Sequence, residues 1–260
     1  MDMDRERRFG GLRRLWGDAG ADTCAAAHVV VVGIGGVGSW AAEALARSGV
    51  GRLTLVDLDN VAESNINRQI HATSETLGMA KVQAMADRIS SYHPACRVHQ
   101  VEDFLTAENA EALLADVQRV AGPIHAVLDA CDQVKAKVAM AAWARQARVV
   151  HVTVGAAGGK LHAQQVEVAD LSAVTHDPLL ARMRQNLRKF HGHPAQGKPM
   201  KVSCVFSRET VRPPVAACLA AGNADGSLNC HGYGSMVTVT ATFGMTAAGV
   251  VLNALAGMAP

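Results

Sequence analysis

Residues 28–40 read H-V-V-V-V-G-I-G-G-V-G-S-W. The consecutive Val29, Val30, Val31 and Val32 suit a strand buried on both faces, because β-branched side chains fit a pleated surface and a parallel strand has no wet side. The apolar run stops at glycine. Gly33, Gly35, Gly36 and Gly38 allow the backbone a positive φ and a close approach to a ligand, and residues 37–47 follow with helical composition. A strand feeding a glycine turn and then a helix is a phosphate site in outline, since the first helical turn presents unpaired N–H groups and a partial positive charge. The turn alone does not choose a nucleotide. It serves NAD and ATP equally, and glycine turns also arise for packing reasons.

Toward the C-terminus, residues 52–56 form a second apolar strand ending in Asp57, placed to accept both ribose hydroxyls of a nucleotide. Residues 57–71, D-L-D-N-V-A-E-S-N-I-N-R-Q-I-H, decide between the nucleotides. Such a dense cluster of amide, carboxylate and guanidinium groups has no evident duty in a dehydrogenase. A triphosphate calls for Arg or Lys clamps on its oxygens, with Asn and Gln donors fixing geometry. Lys81 opens a helix with apolar positions Val82, Met85, Ala86 and Ile89. A cation there opposes the helix dipole, which fits an anionic ligand; a plain solvent-facing lysine is the alternative.

Further on, a strand over 97–101 and a helix over 107–120 precede a strand over 124–128 that runs into Asp129, Ala130, Cys131 and Asp132. Carboxylates at that end of a central strand lie where open parallel sheets bind ligands. Magnesium prefers one or two carboxylates plus phosphate oxygens, and Asp132 is also placed to N-cap a helix over 133–146. A strand over 148–154, a glycine turn over 155–159 and a strand over 161–168 follow. Alternating strand and helix over 28–154 predicts an α/β fold, a doubly wound and mostly parallel sheet with its site at the C-terminal edge.

The flanks differ in character. Residues 5–17, R-E-R-R-F-G-G-L-R-R-L-W-G, read as a basic lead-in, helical in part and broken at Gly10 and Gly11. It is either an arm for a partner or a helix with Leu12, Leu15 and Trp16 in the core. Beyond residue 170 the rhythm is lost: a helix over 175–190, a mobile loop over 191–201, a strand over 201–207, an irregular stretch over 209–232 and a closing apolar helix. The organisation expected is an arm over 1–22, a nucleotide domain over 23–170 and an extension over 171–260 packed on it, with a basic mobile segment over 182–201.

Composition narrows the class. The 260 residues are 49% hydrophobic and 18% charged, which excludes disorder as the main state and favours one large domain. A net charge of +2 excludes a polycation, yet Arg182, Arg184, Arg188, Lys189, Lys198 and Lys201 fall in a stretch with no Asp or Glu. That stretch suits nucleic-acid phosphates or, equally, a solvated surface. Cys24, Cys96, Cys131, Cys204, Cys218 and Cys230 form no C-x-x-C pair, so a zinc ribbon is not expected. With no secretion signal, a reducing cytoplasm fits. Residues 233–260 carry no charge and are long enough to span a bilayer. Interrupting threonines and glycines, and the absence of flanking basic residues, favour a buried core helix over membrane association through 233–260.

The set G-I-G-G-V-G-S, V-D-L-D-N-V, S-N-I-N-R-Q, G-M-A-K and D-A-C-D, in that order, resembles the ubiquitin-activating-enzyme superfamily, which includes adenylyltransferases for molybdopterin and thiamine sulfur carriers. Within it, the lead-in R-F-G-G-L-R-R-L-W-G, the motif N-R-Q-I-H-A and the tail M-V-T-V-T-A-T-F-G resemble the branch that dehydrates threonylcarbamoyladenosine in tRNA. The resemblance implies a Rossmann-like fold, ATP and Mg2+, a tRNA substrate, a homodimer and sulfur-transfer proteins as further partners. It implies that Gly33, Gly35, Gly36 and Gly38 hold phosphates, Asp57 the ribose, Asn67, Arg68, Gln69 and Lys81 the phosphate chain, and Asp132 magnesium. Arg68, Lys81 and Asp132 become the catalytic candidates, and the basic segment the tRNA contacts. Arg14 stands for an arginine supplied across a dimer, although the sulfur-carrier enzymes place theirs where this chain has Gly11. The missing C-x-x-C pairs argue against the zinc found in many sulfur-carrier enzymes, and no cysteine sits in a thioester context. A ubiquitin-like sulfur-carrier adenylyltransferase and an NAD-binding oxidoreductase are the competing expectations.

Overall fold

The computed structural model describes residues 5–213 and 233–258. The four valines lie in β1 (His28–Val32), fully buried at the centre of a seven-stranded sheet. β1 pairs in parallel with β2 (Arg52–Val56) on one side and with β4 (Ala126–Asp129) on the other. β3 (Arg97–Val101) lies beyond β2, and β5 (Val150–Val154) beyond β4, both parallel. The far edge is built by β7 (Ser203–Ser207), parallel to β5, and β6 (Val166–Asp170), antiparallel to β7. The strand order is β3-β2-β1-β4-β5-β7-β6, so the last third of the chain supplies an inner strand of the sheet.

Both faces are covered, as a parallel sheet requires. Val29 and Val31 point to α2 (Gly38–Arg47), α3 (Lys81–Tyr92) and α7 (Val237–Leu255). Val30 and Val32, alternating with them, point to α4 (Ala110–Ala121) and α5 (Val134–Ala147). A third cluster packs α5 on α6 (Pro178–Phe190) through Val138, Leu180, Met183 and Leu187. α7 buries Val239, Phe243, Ala247 and Val251 along α2 and the sheet, and leaves Met245 exposed. Among the described residues it is the one helix long and apolar enough to cross a membrane. Its contact with α2 is close: a methyl at Gly244 would overlap the Val37 carbonyl oxygen. Gly244→Ala is expected to destabilise the protein by about 1–3 kcal/mol, read as a Tm lowered by several degrees.

Local differences from the sequence reading have physical causes. α1 (Arg5–Ala26) runs unbroken through Gly10 and Gly11 and kinks at Gly17, where φ is 73°. Two helical glycines cost about 1 kcal/mol each, and the packing of Phe9 on His93, with ring centroids 4.7 Å apart, offsets part of that. Trp16 packs against the core, but Leu15 is 68% exposed. Asp132 is not the cap of α5; the N-cap is Gln133. The strand expected over 161–168 is confined to β6, because Leu161 and His162 donate their N–H groups to the Glu209 carboxylate instead of a ladder. Of the basic segment over 182–201, residues 182–190 lie in α6, capped by Asp177, and the following loop is anchored by buried His193 and Met200. Most of the irregular stretch over 209–232, with Cys218 and Cys230, lies outside the described residues.

Candidate active site

The parallel strands deliver their C-terminal ends to one edge, and the expected residues gather there. Gly33 ends β1 with φ 87° and donates its N–H to the Val56 carbonyl at 2.9 Å. A Cβ there would stand 3.0 Å from Ala130, so the turn lies directly against the β4–α5 connection that carries Asp132. Asp57, at the end of β2, is bound back to the turn: its carboxylate accepts from Ile34 N at 2.6 Å and from Asp59 N at 2.9 Å. Burial pushes its carboxyl up from the usual range, against the pull of Lys81 and these N–H groups. A carboxylate offers about four acceptor positions, so these two N–H groups do not exhaust it.

Lys81 starts α3 nearly buried, its Nζ 2.5 Å from Asp59 Oδ2 and 3.9 Å from Asp57 Oδ1. The solvent-facing alternative is therefore wrong. Engaging a phosphate requires Lys81 to share its donors with these carboxylates. Arg68 is 9% exposed, and its Nη1 donates to Ser64 O at 2.7 Å and Asn67 Oδ1 at 2.9 Å. Trp40 Nε1 on α2 holds the Arg68 carbonyl at 2.9 Å. Among the described residues Arg68 makes no ion pair, so a buried guanidinium keeps its charge unmatched by a carboxylate while its aliphatic stem packs beside the glycine turn. A Cβ at Gly36 would lie 3.2 Å from Arg68 Cγ and Cδ. Gln69 is buried beside Gly35, and its Oε1 has no hydrogen-bond partner among the described residues.

Asn67 is exposed and serves as a bridge. Its Oδ1 accepts from Arg68 while its Nδ2 donates to Ser235 O, at 3.0 Å, in the lead to α7. Asn67→Ala is expected to lower kcat/KM for ATP about 10-fold by loosening Arg68, a loss of about 1.4 kcal/mol, with little change in Tm. Steady-state kinetics beside a thermal melt check this.

His71 closes the same motif, 2% exposed, with neither ring nitrogen bonded among the described residues. Burial, aided by Lys81 and Arg88, lowers its pKa to about 4, so the imidazole is neutral at pH 7. Its folded pKa lies below the unfolded value of about 6.5. As pH falls through that window the unfolded state binds the proton first, and stability is lost from about pH 6.5 to about 4. His71→Leu is expected to reduce the slope of stability against pH there by up to about 1.4 kcal/mol per unit, measured by urea unfolding at several pH values. His151, also pushed down to about 4 by burial, keeps its share of the slope.

A buried network that the sequence alone does not reveal lies under the site. Asp129 and Lys137, both fully buried, pair at 3.0 Å beneath the β4–α5 connection. The available signal was a lysine inside the apolar run Ala136, Val138, Met140 and Ala141. Burial raises the thiols of Cys24 to about 11 and Cys96 to about 12 and also raises Cys131 and Cys204, which disfavours the reactive thiolate at these four positions. Of the basic segment, Arg182, Lys189, Lys198 and Lys201 are exposed. Arg184 instead donates to Leu171 O and Val174 O, and Arg188 to Pro194 O. Asp177 Oδ2 accepts from Ala156 N at 2.8 Å, which puts the start of α6 at the site's edge of the sheet. Its 13 residues span about 20 Å, and its far end meets the end of α5, where Arg145 Nη1 donates to His191 O at 3.2 Å.

This fold, with its glycine turn, buried guanidinium and strand-end carboxylates, defines a doubly wound α/β protein of the nucleotide-binding class. The chain belongs to the ThiF family, whose model matches residues 10–260. It is 42% identical over 248 residues to tRNA threonylcarbamoyladenosine dehydratase of Escherichia coli, covering 93% of this chain and 90% of that protein. To the enzyme of the same name from Haemophilus influenzae it is 38% identical, covering 96% and 94%. The crystal structure of the Escherichia coli enzyme in complex with ATP matches with a TM-score of 0.83 at 40% identity, covering 98% of this chain and 96% of that one.

Proposed function

We propose that this chain dehydrates N6-threonylcarbamoyladenosine in tRNA, beside the anticodon, at the expense of ATP. The observation that carries the reading is its likeness, along nearly the whole of both chains, to an enzyme of that activity solved with ATP. The geometry supports it through Arg68, a buried cation that meets no carboxylate among the described residues.

In the first step a carboxylate oxygen of the modified nucleoside attacks the α-phosphorus of ATP, and the bond to the β-phosphate oxygen breaks, releasing pyrophosphate. In the second, an internal nitrogen of the modification attacks the activated carbonyl carbon. AMP leaves with the former carboxylate oxygen and the nitrogen loses its proton, so the nucleoside has lost one water. No enzyme nucleophile is required. The turn from Gly33 to Gly38 offers backbone N–H groups to the phosphates, Asp57 accepts from the ribose, and Asn67 and Gln69 fix the geometry. Arg68 and Lys81 neutralise charge that grows at the α-phosphate and the leaving group. The main contribution is positioning.

Magnesium fits Asp132: a half-buried carboxylate on the connection that lies against the glycine turn is the kind of donor this ion takes when nucleotide oxygens complete its shell. Bound there, it supplies charge neutralisation for the pyrophosphate group. In this reading the protein works in the cytoplasm as a homodimer, with Arg14 at the subunit boundary and sulfur-transfer proteins as further partners. Arg182, Lys189, Lys198 and Lys201 give tRNA phosphate contacts that weaken with salt.

The test incubates protein, ATP, magnesium and tRNA bearing the modification, then weighs the nucleosides. Loss of one water only in the complete mixture is expected. Unchanged tRNA with pyrophosphate exchange that depends on a ubiquitin-like carrier would instead identify a sulfur-carrier adenylyltransferase.

A further inference from the structure

Asp129 and Asp132 share one short connection, but the structure gives them different work. Asp132 is half-buried on the connection whose Ala130 and Cys131 backbone lies against Gly33, whereas Asp129 is fully buried and its carboxylate is taken up by protein donors. Asp129 Oδ1 accepts from Lys137 Nζ at 3.0 Å and Cys131 N at 3.2 Å, and Oδ2 accepts from Thr153 Oγ1 at 2.7 Å. Lys137 Nζ also donates to Val154 O at 2.8 Å and Thr153 Oγ1 at 3.2 Å, so all three of its protons are placed. The ends of β4 and β5 are thereby fastened to the first turn of α5, and the backbone of Cys131, the residue before Asp132, hangs from the same carboxylate.

Stability alone does not call for this arrangement. Desolvating two charges offsets much of their attraction, and an apolar or neutral pair of similar volume serves a core as well. What a neutral pair does not reproduce is the charged acceptor that holds Cys131 N and the triply bonded ammonium that ties two strand ends. Resting on the functional reading above, we propose that Lys137, acting through Asp129, is a positioning residue that sets Asp132 against the phosphate turn for magnesium-bound ATP. Groups that orient a metal ligand in this way change metal affinity or activity about 10- to 100-fold when removed.

The test compares ATP binding by titration calorimetry with magnesium and with chelator in its place, on the full chain. The probes are the double variant Asp129→Asn with Lys137→Met, the milder Thr153→Val, and Asp132→Asn in parallel. Expected for the double variant is a near wild-type Tm, magnesium-ATP binding weakened about 10- to 100-fold, and metal-free ATP binding within about 3-fold of wild type. Thr153→Val is expected to shift the same ratio in the same direction by less, and it decides the matter if the double variant fails to fold. An unchanged ratio in a folded variant, or equal weakening with and without magnesium, would overturn the proposal. If Asp132→Asn also leaves the ratio unchanged, the assignment of Asp132 fails with it; if Asp132→Asn alone abolishes the magnesium preference, only the role of Lys137 fails.

Discussion

Arg68→Ala is expected to slow tRNA dehydration about 10²- to 10³-fold, the loss typical when one preorganised donor to a developing charge is removed, while the protein stays folded. The two halves of this expectation come from one feature. Arg68 is buried and donates through Nη1 to Ser64 O and Asn67 Oδ1, and its carbonyl is held by Trp40. Its position is therefore set before any ligand arrives. Among the described residues it makes no ion pair, so deleting it strands no buried carboxylate and removes a desolvated charge whose pKa burial already lowers. Stability should hold or rise. Arg68→Lys keeps the charge without the planar fork and is expected to restore only part of the rate. Single-turnover dehydration beside a thermal melt decides the matter; a wild-type rate in Arg68→Ala would remove Arg68 from the site.

Gly38→Ala carries the second large effect. A methyl there would collide with the Gly33 carbonyl oxygen and approach Ala130 Cβ to 3.3 Å. Neither neighbour can yield readily, since Gly33 is hydrogen-bonded to β2 and lies against the β4–α5 connection. The expected cost is about 3 kcal/mol or more, at the upper end for overpacking, together with loss of ATP binding. Gly35→Ala separates the two consequences. Its methyl meets only Gln69 Nε2, at 4.0 Å, so the fold should survive while the cradle is filled. Chemical unfolding and ATP titration of both variants check this; ATP binding retained by Gly35→Ala would mean that phosphates do not approach the turn.

The central sheet was legible because its signal is local. Strands buried on both faces need continuous β-branched runs, and Val29, Val30, Val31 and Val32 followed by glycine can be read without knowing their neighbours. Asp57 and Lys81 were legible for a related reason: the end of a strand and the start of a helix are marked in sequence, and parallel topology brings such ends to one edge. What escaped the reading depends on contacts between distant segments. Lys137 reads as one more helical lysine until β4 and β5 close around it. Arg184 and Arg188 read as free surface charge, yet they satisfy the carbonyls of Leu171, Val174 and Pro194. The start of β6 was misplaced because Glu209, some 50 residues later, takes the N–H groups that a strand would have used. Asn67 is a partial case: its motif pointed to the nucleotide, but its bond to Ser235 crosses most of the chain.

The central claim is that ATP activates the carboxylate of the tRNA modification at the glycine-turn edge. Oxygen-18 in that carboxylate tests it most directly. After one turnover by the wild-type protein with ATP and magnesium, the account predicts one labelled oxygen in AMP, none in pyrophosphate, and a nucleoside lighter by the labelled water. Label in pyrophosphate or inorganic phosphate, or unlabelled AMP beside dehydrated tRNA, would contradict it.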